Sequence, residues 1–179
     1  MNKARNIVII SGKQFAGKDT VANVLMKKLT DFKLAPIADA IKIGFGQEKN
    51  IAFNEIERNK PLYRAELIEF GNRYRAEDPD YWLKKVLETE GSLIISDVRL
   101  KREIEVFENL GAIKIRVEAD REERAKRGRL VKEDDPTETE LDNYENWDYV
   151  LENNGTIEEI KAKAAEVGDK ILEGLLQKA

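Results

Sequence analysis

The sequence predicts an α/β fold in which a mostly parallel sheet is covered by helices on both faces. Four short apolar runs are typical of strands buried on both sides, and a weaker run follows the first helical pattern. Helical patterns separate the runs, as in βαβ units. A glycine-rich turn directly follows the first run. The predicted strands are residues 6–11, 33–37, 93–96, 112–117 and 147–151.

The helical patterns have clear boundaries in three places. Apolar residues recur at helical spacing from Lys18 to Leu29, and a second pattern runs from Arg99 to Gly111, a helix-stopping glycine. The last helix opens with a capping box at 156–159. It carries one apolar stripe: Ile157, Ile160, Ala164, Val167, Ile171 and Leu175.

Two segments lie outside this alternation of strands and helices. Residues 38–90 are almost wholly helical in pattern and form an insertion between the second and third strands. Residues 129–143 are polar, acidic and weakly patterned, so we expect a mobile loop.

Composition excludes several classes of chemistry. The 179 residues suit one domain and contain neither cysteine nor histidine. Disulfides, zinc fingers, thiol nucleophiles and imidazole bases are therefore excluded. The net charge of −4 argues against general affinity for nucleic acid. The apolar runs are too short for a membrane span, and residues 1–6 lack a signal peptide's apolar region. We therefore expect a cytoplasmic protein that binds neither nucleic acid nor membrane.

Residues 12–18 have the G-x-x-x-x-G-K pattern of a phosphate-binding loop, between an apolar strand and an amphipathic helix. Glycines let backbone N–H groups point inward at a helix N-terminus, where they form an anion nest. Lys18 would reach the β- and γ-phosphates as a point charge. A glycine-rich turn without a ligand is the alternative. The residues predicted to bind ATP here are Gly12, Lys13, Ala16, Gly17, Lys18, Asp19 and Thr20.

The residue after Lys18 departs from the usual pattern. A Ser or Thr commonly binds magnesium there, whereas this chain has Asp19 followed by Thr20. A carboxylate is also a hard oxygen ligand for Mg²⁺. We favour Asp19 near the metal and Thr20 near the α-phosphate, with the reverse left open. GTPase motifs such as D-x-x-G and N-K-x-D are missing from the sequence, which favours small-molecule kinases.

Asp97 is expected at the carboxyl end of the third strand, where ligands bind in open α/β sheets. Its carboxylate could hold Mg²⁺ through water, orient an acceptor, or cap the helix that starts near Arg99. Arg99 could reach an acceptor phosphate. Arg64 and Arg75 are eleven residues apart, so they share one helix face at about 16 Å separation, although either could instead pair with a nearby glutamate.

Three motifs together resemble the deoxynucleoside monophosphate kinases of phages and bacteria: residues 17–20, 95–99 and 152–156. With residues 75–79 and 141–143, they also resemble the animal-type phosphomevalonate kinases. Gly-Lys-Asp-Thr and residues 38–42 favour the nucleotide kinases, whereas Leu-Asp-Asn at 141–143 favours the other group. The resemblance runs from the first strand to the final helix.

This resemblance implies a P-loop NTPase-type three-layer αβα sandwich with a five-stranded parallel sheet. Residues 1–179 would form a single kinase domain, with an acceptor-binding helical region at 38–90 and a lid at 121–143. The implied activity is Mg²⁺-dependent transfer of the ATP γ-phosphoryl group to a (deoxy)nucleoside monophosphate. The alternatives are a phosphomevalonate kinase-like or dephospho-coenzyme A kinase-like enzyme, and a non-catalytic nucleotide-binding regulatory protein. The partner is a small-molecule monophosphate, and a homodimer is left open.

The resemblance also implies roles for individual residues. Arg124 and Arg127, with Arg129 less firmly, match lid arginines that close over the phosphates, and guanidinium groups stabilise the charge that develops there. Arg121 is interpreted as part of a solvated helix. The loop Asn153, Asn154 and Gly155 lies where the family holds adenine, and it also suits a turn and helix cap. The acceptor-binding set is Asp39, Lys42, Arg64, Arg75, Asp97 and Arg99. The catalytic set is Lys18, Asp97, Arg124 and Arg127, with Asp19 and Asp97 at the metal.

Overall fold

A computed structural model describes residues 5–178 of the chain. Residues 1–4, part of the segment in which we expect no signal peptide, lie outside the described residues, as does residue 179. Contacts divide the chain into two compact units. One contains the segments up to Leu34 and from Gly91 onward, and the other is Ala35–Glu90. That the two units act as a single kinase domain stays a prediction.

The first unit is built on a five-stranded, wholly parallel sheet with the order β2-β3-β1-β4-β5. The strand β1 lies between β3 and β4, where the strand order reverses, and ligands bind at such switch points. The predicted five-stranded parallel sheet is confirmed. The strands are β1 (Ile7–Ser11), β2 (Phe32–Leu34), β3 (Ser92–Val98), β4 (Ile113–Glu118) and β5 (Tyr149–Glu152).

Helices connect these strands, and the whole of β1 is buried. In this unit α1 packs against α9, so these two helices lie together on the sheet. The helices of the chain are α1 (Lys18–Lys28), α2 (Ile37–Lys49), α3 (Phe53–Arg58), α4 (Lys60–Glu77), α5 (Tyr81–Leu87), α6 (Lys101–Asn109), α7 (Arg121–Arg127), α8 (Pro136–Thr139) and α9 (Ile157–Lys178).

Two predicted helix boundaries are confirmed at the level of single hydrogen bonds. Gly111 has φ +73° just past α6, and its N–H bonds to the carbonyl of Glu108. At the start of α9, the Thr156 N–H donates to the Glu159 carboxylate, and the Glu159 N–H donates to the Thr156 hydroxyl. Local sequence was sufficient in both places because a glycine in the left-handed region and a capping box depend only on neighbouring residues.

Other predicted boundaries were wrong. Ile37 was expected in the second strand, but it begins α2 because Pro36 at φ −62° starts the helix there. Trp147 lies before β5 and outside any strand, and its indole N–H donates to the carbonyl of Tyr144. Ile157 is 52% exposed and does not belong to the buried stripe of α9. Asp97 does not cap the following helix, because α6 begins at Lys101.

The segment 129–143 is not a loop throughout, since it contains α8. Glu138 and Leu141 are buried within it. The predicted loop is therefore interrupted by one short helix, because a polar segment has local order where its few buried side chains find partners in the rest of the fold. Its mobility stays a prediction.

The second unit consists of the four helices α2–α5, as the pattern over 38–90 predicted. Its interior is aromatic: the rings of Phe45 and Phe70 meet edge to face at 5.6 Å, and Trp82 is 5.6 Å from Phe70. The indole N–H of Trp82 donates to the carbonyl of Gly71 at 3.0 Å. A buried tryptophan with its N–H satisfied is a packing residue of this unit. Among residues 5–178, no helix is both long and apolar enough to cross a bilayer.

We expect Phe107→Ala to lower the free energy of unfolding by about 3–5 kcal/mol, because the ring is fully buried and its loss leaves a cavity. Urea unfolding followed by circular dichroism measures this. Leu110→Ala is the matched control, since Leu110 is 49% exposed at the end of the same helix; its loss should cost less than about 1 kcal/mol. Equal losses in the two variants would contradict the assignment of α6 to the core.

Candidate active site

The loop between β1 and α1 adopts a conformation that demands glycine at two positions. Gly12 has φ +157°, and a Cβ there would lie 2.4 Å from the carbonyl oxygen of Val117. Gly17 has φ +108°, and a Cβ there would lie 2.3 Å from the Asn153 side-chain nitrogen. The helix α1 begins immediately afterwards with no side-chain cap. A tight loop that ends in an uncapped helix N-terminus is an anion-binding arrangement.

Lys18 directly follows this loop as the first residue of α1, and its side chain is buried. The Nζ atom donates to the carbonyls of Gly12 at 2.7 Å and Lys13 at 2.9 Å. Burial and, second, the charge of Arg99 lower the pKa of Lys18 to about 8, against the opposing charges of Glu138, Asp19 and Asp97. The ammonium is therefore held where an additional anion would stabilise its charged form.

Arg124 and Arg127 both reach the phosphate-binding loop from α7. Arg124 is buried, and its guanidinium donates to the carbonyls of Ala119 at 3.2 Å and Gln14 at 3.4 Å. Arg127 donates to the carbonyls of Phe15 at 3.2 Å and Asn153 at 2.6 Å. Both guanidinium groups thus lie against the loop. Their predicted contact with phosphates stays a prediction.

Glu138 is a central residue of this site that the sequence did not single out. Its carboxylate accepts the Gln14 backbone N–H at 2.9 Å and also pairs with the Arg99 guanidinium. The side chain of Gln14 donates to the Val131 carbonyl and accepts from the Val131 N–H. Local sequence does not distinguish this glutamate from its acidic neighbours, because its partners Gln14 and Arg99 are 124 and 39 residues away.

Two further ion pairs involve the segment 121–143, one with the phosphate-binding loop and one within the segment. Lys13 forms an ion pair with Asp142 at 2.8 Å. Arg121 is exposed, as expected for a solvated helix, but its partner is Glu133 at 2.8 Å rather than an acid on its own helix. Arg129 is also exposed. The segment 121–143 is therefore attached to the phosphate-binding loop at several points.

The loop after β5 braces the phosphate-binding loop. The Asn153 side chain is buried and donates to the carbonyl of Ala16 at 2.8 Å, while Asn154 accepts the Asp120 N–H at 2.7 Å. A cavity of about 300 Å³ lies beside these residues, lined among others by Lys13, Ala16, Arg116 and Asn154. Gly155 is exposed at the entry to α9. Asn154 and Gly155 form a bend before α9, whose capping box is made by Thr156 and Glu159, and adenine binding by this loop stays a prediction.

Asp19 and Asp97 are the candidate ligands for Mg²⁺. Asp19 lies in the first turn of α1, and Asp97 precedes Val98 of β3, which pairs with Ser11 directly before the phosphate-binding loop. Both residues therefore lie close to that loop. The described residues contain no group of three acidic side chains that could hold a metal ion. Mg²⁺ in such sites takes one or two carboxylates together with substrate phosphates and water. Two carboxylates beside a phosphate-binding loop therefore fit Mg²⁺ that arrives with a nucleotide. Thr20 is partly buried on α1.

The predicted acceptor residues of the second unit lie on α2 and α4, and two of them pair with each other. Lys42 contacts Asp39 at 2.7 Å and Glu57 at 2.5 Å. Burial alone would lower the pKa of Lys42, but hydrogen bonds with these two carboxylates outweigh it and raise the pKa. Arg64 and Arg75 both lie on α4, as predicted, and Arg75 contacts Asn72 rather than a glutamate. Lys42 is therefore already neutralised by neighbouring acids.

Two family models match this chain. The phosphomevalonate kinase model matches residues 10–112, and the deoxynucleotide monophosphate kinase model matches residues 69–164. The chain is also 28% identical to phosphomevalonate kinase of Drosophila melanogaster, in a match that covers 90% of this chain and 93% of that protein.

Two of the solved structures that match this chain are small-molecule kinases by name. Shikimate kinase from Aquifex aeolicus matches with a TM-score of 0.52 at 16% identity, over 97% of this chain and 99% of that one. A gluconokinase from Sinorhizobium meliloti matches with a TM-score of 0.53 at 15% identity, over 100% and 99% of the two chains. At these identities the likeness establishes the fold.

The fold and the loop at its switch point are those of a P-loop small-molecule kinase. Each of the two family models covers more than half of the chain. The chain therefore belongs to the P-loop kinases that the phosphomevalonate kinase and deoxynucleotide monophosphate kinase models describe. Kinases of this group use ATP and Mg²⁺, as the sequence predicted.

We expect ATP binding at pH 8 to take up about half a proton per site, because a Lys18 with a pKa of about 8 is half neutral and nearby phosphates raise that pKa. Calorimetry of Mg–ATP binding in buffers with different ionisation enthalpies measures the uptake, which should fall toward zero at pH 6.5. Lys18→Met is the matched variant and should remove the uptake at pH 8. Equal uptake in the variant would show that another group titrates.

Proposed function

We propose that this protein transfers the γ-phosphoryl group of ATP to the phosphate of a small-molecule monophosphate, and that the acceptor is a (deoxy)nucleoside monophosphate. The observation that carries the proposal is that Arg99, after β3, lies beside the P-loop that contains Lys18, because the Glu138 carboxylate pairs with Arg99 and accepts the P-loop N–H of Gln14. Two neighbouring cations suit a reaction between two phosphate groups, one from the donor and one from the acceptor.

In this reaction an acceptor phosphate oxygen bonds to the γ-phosphorus while the bond from that phosphorus to the β–γ bridging oxygen breaks. ADP leaves with the electron pair of that bond, and the acceptor becomes a diphosphate. The acceptor oxygen is already ionised, so the absence of histidine from the sequence is no obstacle. Positioning and charge neutralisation would provide the rate enhancement. Mg²⁺, held by Asp19 and Asp97 together with the ATP phosphates, would supply further charge neutralisation.

Phosphomevalonate is the second candidate acceptor. The match to a phosphomevalonate kinase over 90% of this chain favours it. The match of the deoxynucleotide kinase model over residues 69–164, which includes β3 and the predicted lid, favours the nucleotide. Both candidates carry a phosphate that Arg99 would receive, so the donor half of the reaction is the same for both.

Coupled measurement of ADP release over a panel of acceptors tests the proposal. The panel contains ribo- and deoxyribonucleoside monophosphates, phosphomevalonate and dephospho-coenzyme A, with water alone as the control. We expect turnover with at least one nucleoside monophosphate to exceed release in water by more than about 100-fold. Turnover with phosphomevalonate or dephospho-coenzyme A alone would establish that alternative. Tight ATP binding with no release would favour a regulatory protein.

We expect Asp19→Ala to raise the Mg²⁺ concentration that gives half-maximal activity by about tenfold, because one of two candidate carboxylate ligands is lost. A magnesium titration at saturating ATP and acceptor measures this. Asp31→Ala is the control, since Asp31 is an exposed carboxylate outside the P-loop. An unchanged titration in Asp19→Ala would remove this residue from the metal site.

A further inference from the structure

The buried carboxylate of Glu138 connects three separate parts of the P-loop unit. Its side chain is only 3% exposed. One oxygen pairs with the Arg99 guanidinium after β3, and the other accepts the Gln14 N–H of the P-loop at 2.9 Å. A carboxylate is costly to bury unless it is paired and hydrogen-bonded. Glu138 therefore needs both partners in place at the same time.

The Glu138 contact does not stand alone. In the segment 121–143, the backbone of Val131 forms two hydrogen bonds with the Gln14 side chain, at 2.6 and 3.2 Å. Arg124 of the same segment donates to the Gln14 carbonyl. Gln14 is therefore held through its N–H, its carbonyl and its side chain, all by residues of this segment. The position of this P-loop residue consequently depends on α8 and its neighbours.

The charge of Glu138 also allows two cations to lie close together. Lys18 and Arg99 repel each other, as the lowering of the pKa of Lys18 by Arg99 indicates, whereas Glu138 acts on Lys18 in the opposite direction. Without this carboxylate, Arg99 would lose its ion pair and would move away from Lys18. The geometry of the predicted phosphate-binding cations thus depends on a residue of the predicted lid.

We propose that Glu138 is a positioning residue for phosphoryl transfer, which sets the Arg99 guanidinium and the Gln14 turn of the P-loop in one arrangement when the segment 121–143 lies on the loop. The inference rests on the proposed transfer to a phosphate acceptor, but it does not depend on which monophosphate is used. Reacting groups must be held to within about 0.5 Å for such transfer, so loss of this carboxylate should slow chemistry more than it weakens ATP binding.

A double-mutant cycle between Glu138 and Arg99 tests the proposal. The variants are Glu138→Gln, Arg99→Ala and the two combined, assayed for kcat and for KM of ATP and acceptor. Glu140→Gln is the matched control, because it removes the same charge from the end of the same short helix. Thermal unfolding of each variant is measured in parallel. If Glu138→Gln is too unstable to purify, Glu138→Asp keeps the charge, withdraws the carboxylate from Gln14 and enters the same cycle.

We expect Glu138→Gln to lower kcat by about 10–100-fold while KM for ATP changes by less than about threefold. In the Arg99→Ala background the same change should lower kcat by a clearly smaller factor, since Arg99, one of the two groups through which Glu138 acts, is gone. Glu140→Gln should keep kcat within about twofold. Equal falls in both backgrounds would overturn the proposal, as would a lower melting temperature with kcat intact.

Amide hydrogen exchange of Gln14, followed by nuclear magnetic resonance without substrate, separates this proposal from the proposed function. Its N–H should exchange at least about tenfold faster in Glu138→Gln than in the wild type or in Glu140→Gln, because it loses its acceptor. If the wild type releases no ADP with any acceptor, the proposed function fails. The hydrogen-exchange rate of Gln14 then tests by itself whether Glu138 holds the P-loop. Faster exchange then supports the link to the P-loop, and unchanged exchange overturns it.

Discussion

The burial of the Lys18 ammonium is the constraint on which the rest of the site depends. Burial of a cation is unfavourable, and here it lowers the pKa of Lys18 to about 8. The ammonium donates hydrogen bonds to the carbonyls of Gly12 and Lys13, and nearby carboxylates supply opposing charge. Such an arrangement is stabilised most by a multiply charged anion. A phosphate-binding site therefore follows from the electrostatics as well as from the glycine pattern.

The P-loop is held from several directions within its unit. The central strand β1 fixes its start, Asn153 braces its carboxyl half through the carbonyl of Ala16, and Glu138 with Val131 braces Gln14. These contacts come from segments far apart along the chain. They have a common consequence: backbone amides and cations keep their places before a ligand arrives. Preorganised dipoles and charges of this kind are the main source of electrostatic catalysis.

The high content of charged residues also has a structural explanation. Many pairs, such as Arg121 with Glu133, are exposed and contribute little to stability. In a few, such as Arg99 with Glu138, one partner is buried, and the pair fixes positions instead. In the second unit, Lys42 is enclosed by Asp39 and Glu57, so its charge is already compensated. The same residue types thus act as solvated surface in one place and as positioning groups in another.

The sequence by itself determined the parallel sheet, the helical insertion, the P-loop and the capped start of α9, because each depends on a local periodicity or a short motif. It could not determine Glu138, the end of β2 at Leu34, or the partner of Arg121. Those depend on packing, or on pairs 39 and 12 residues apart that only tertiary structure brings together. Burial then decided which of the many similar charged side chains are held in place, since a charged group is costly to bury unless it is paired and hydrogen-bonded.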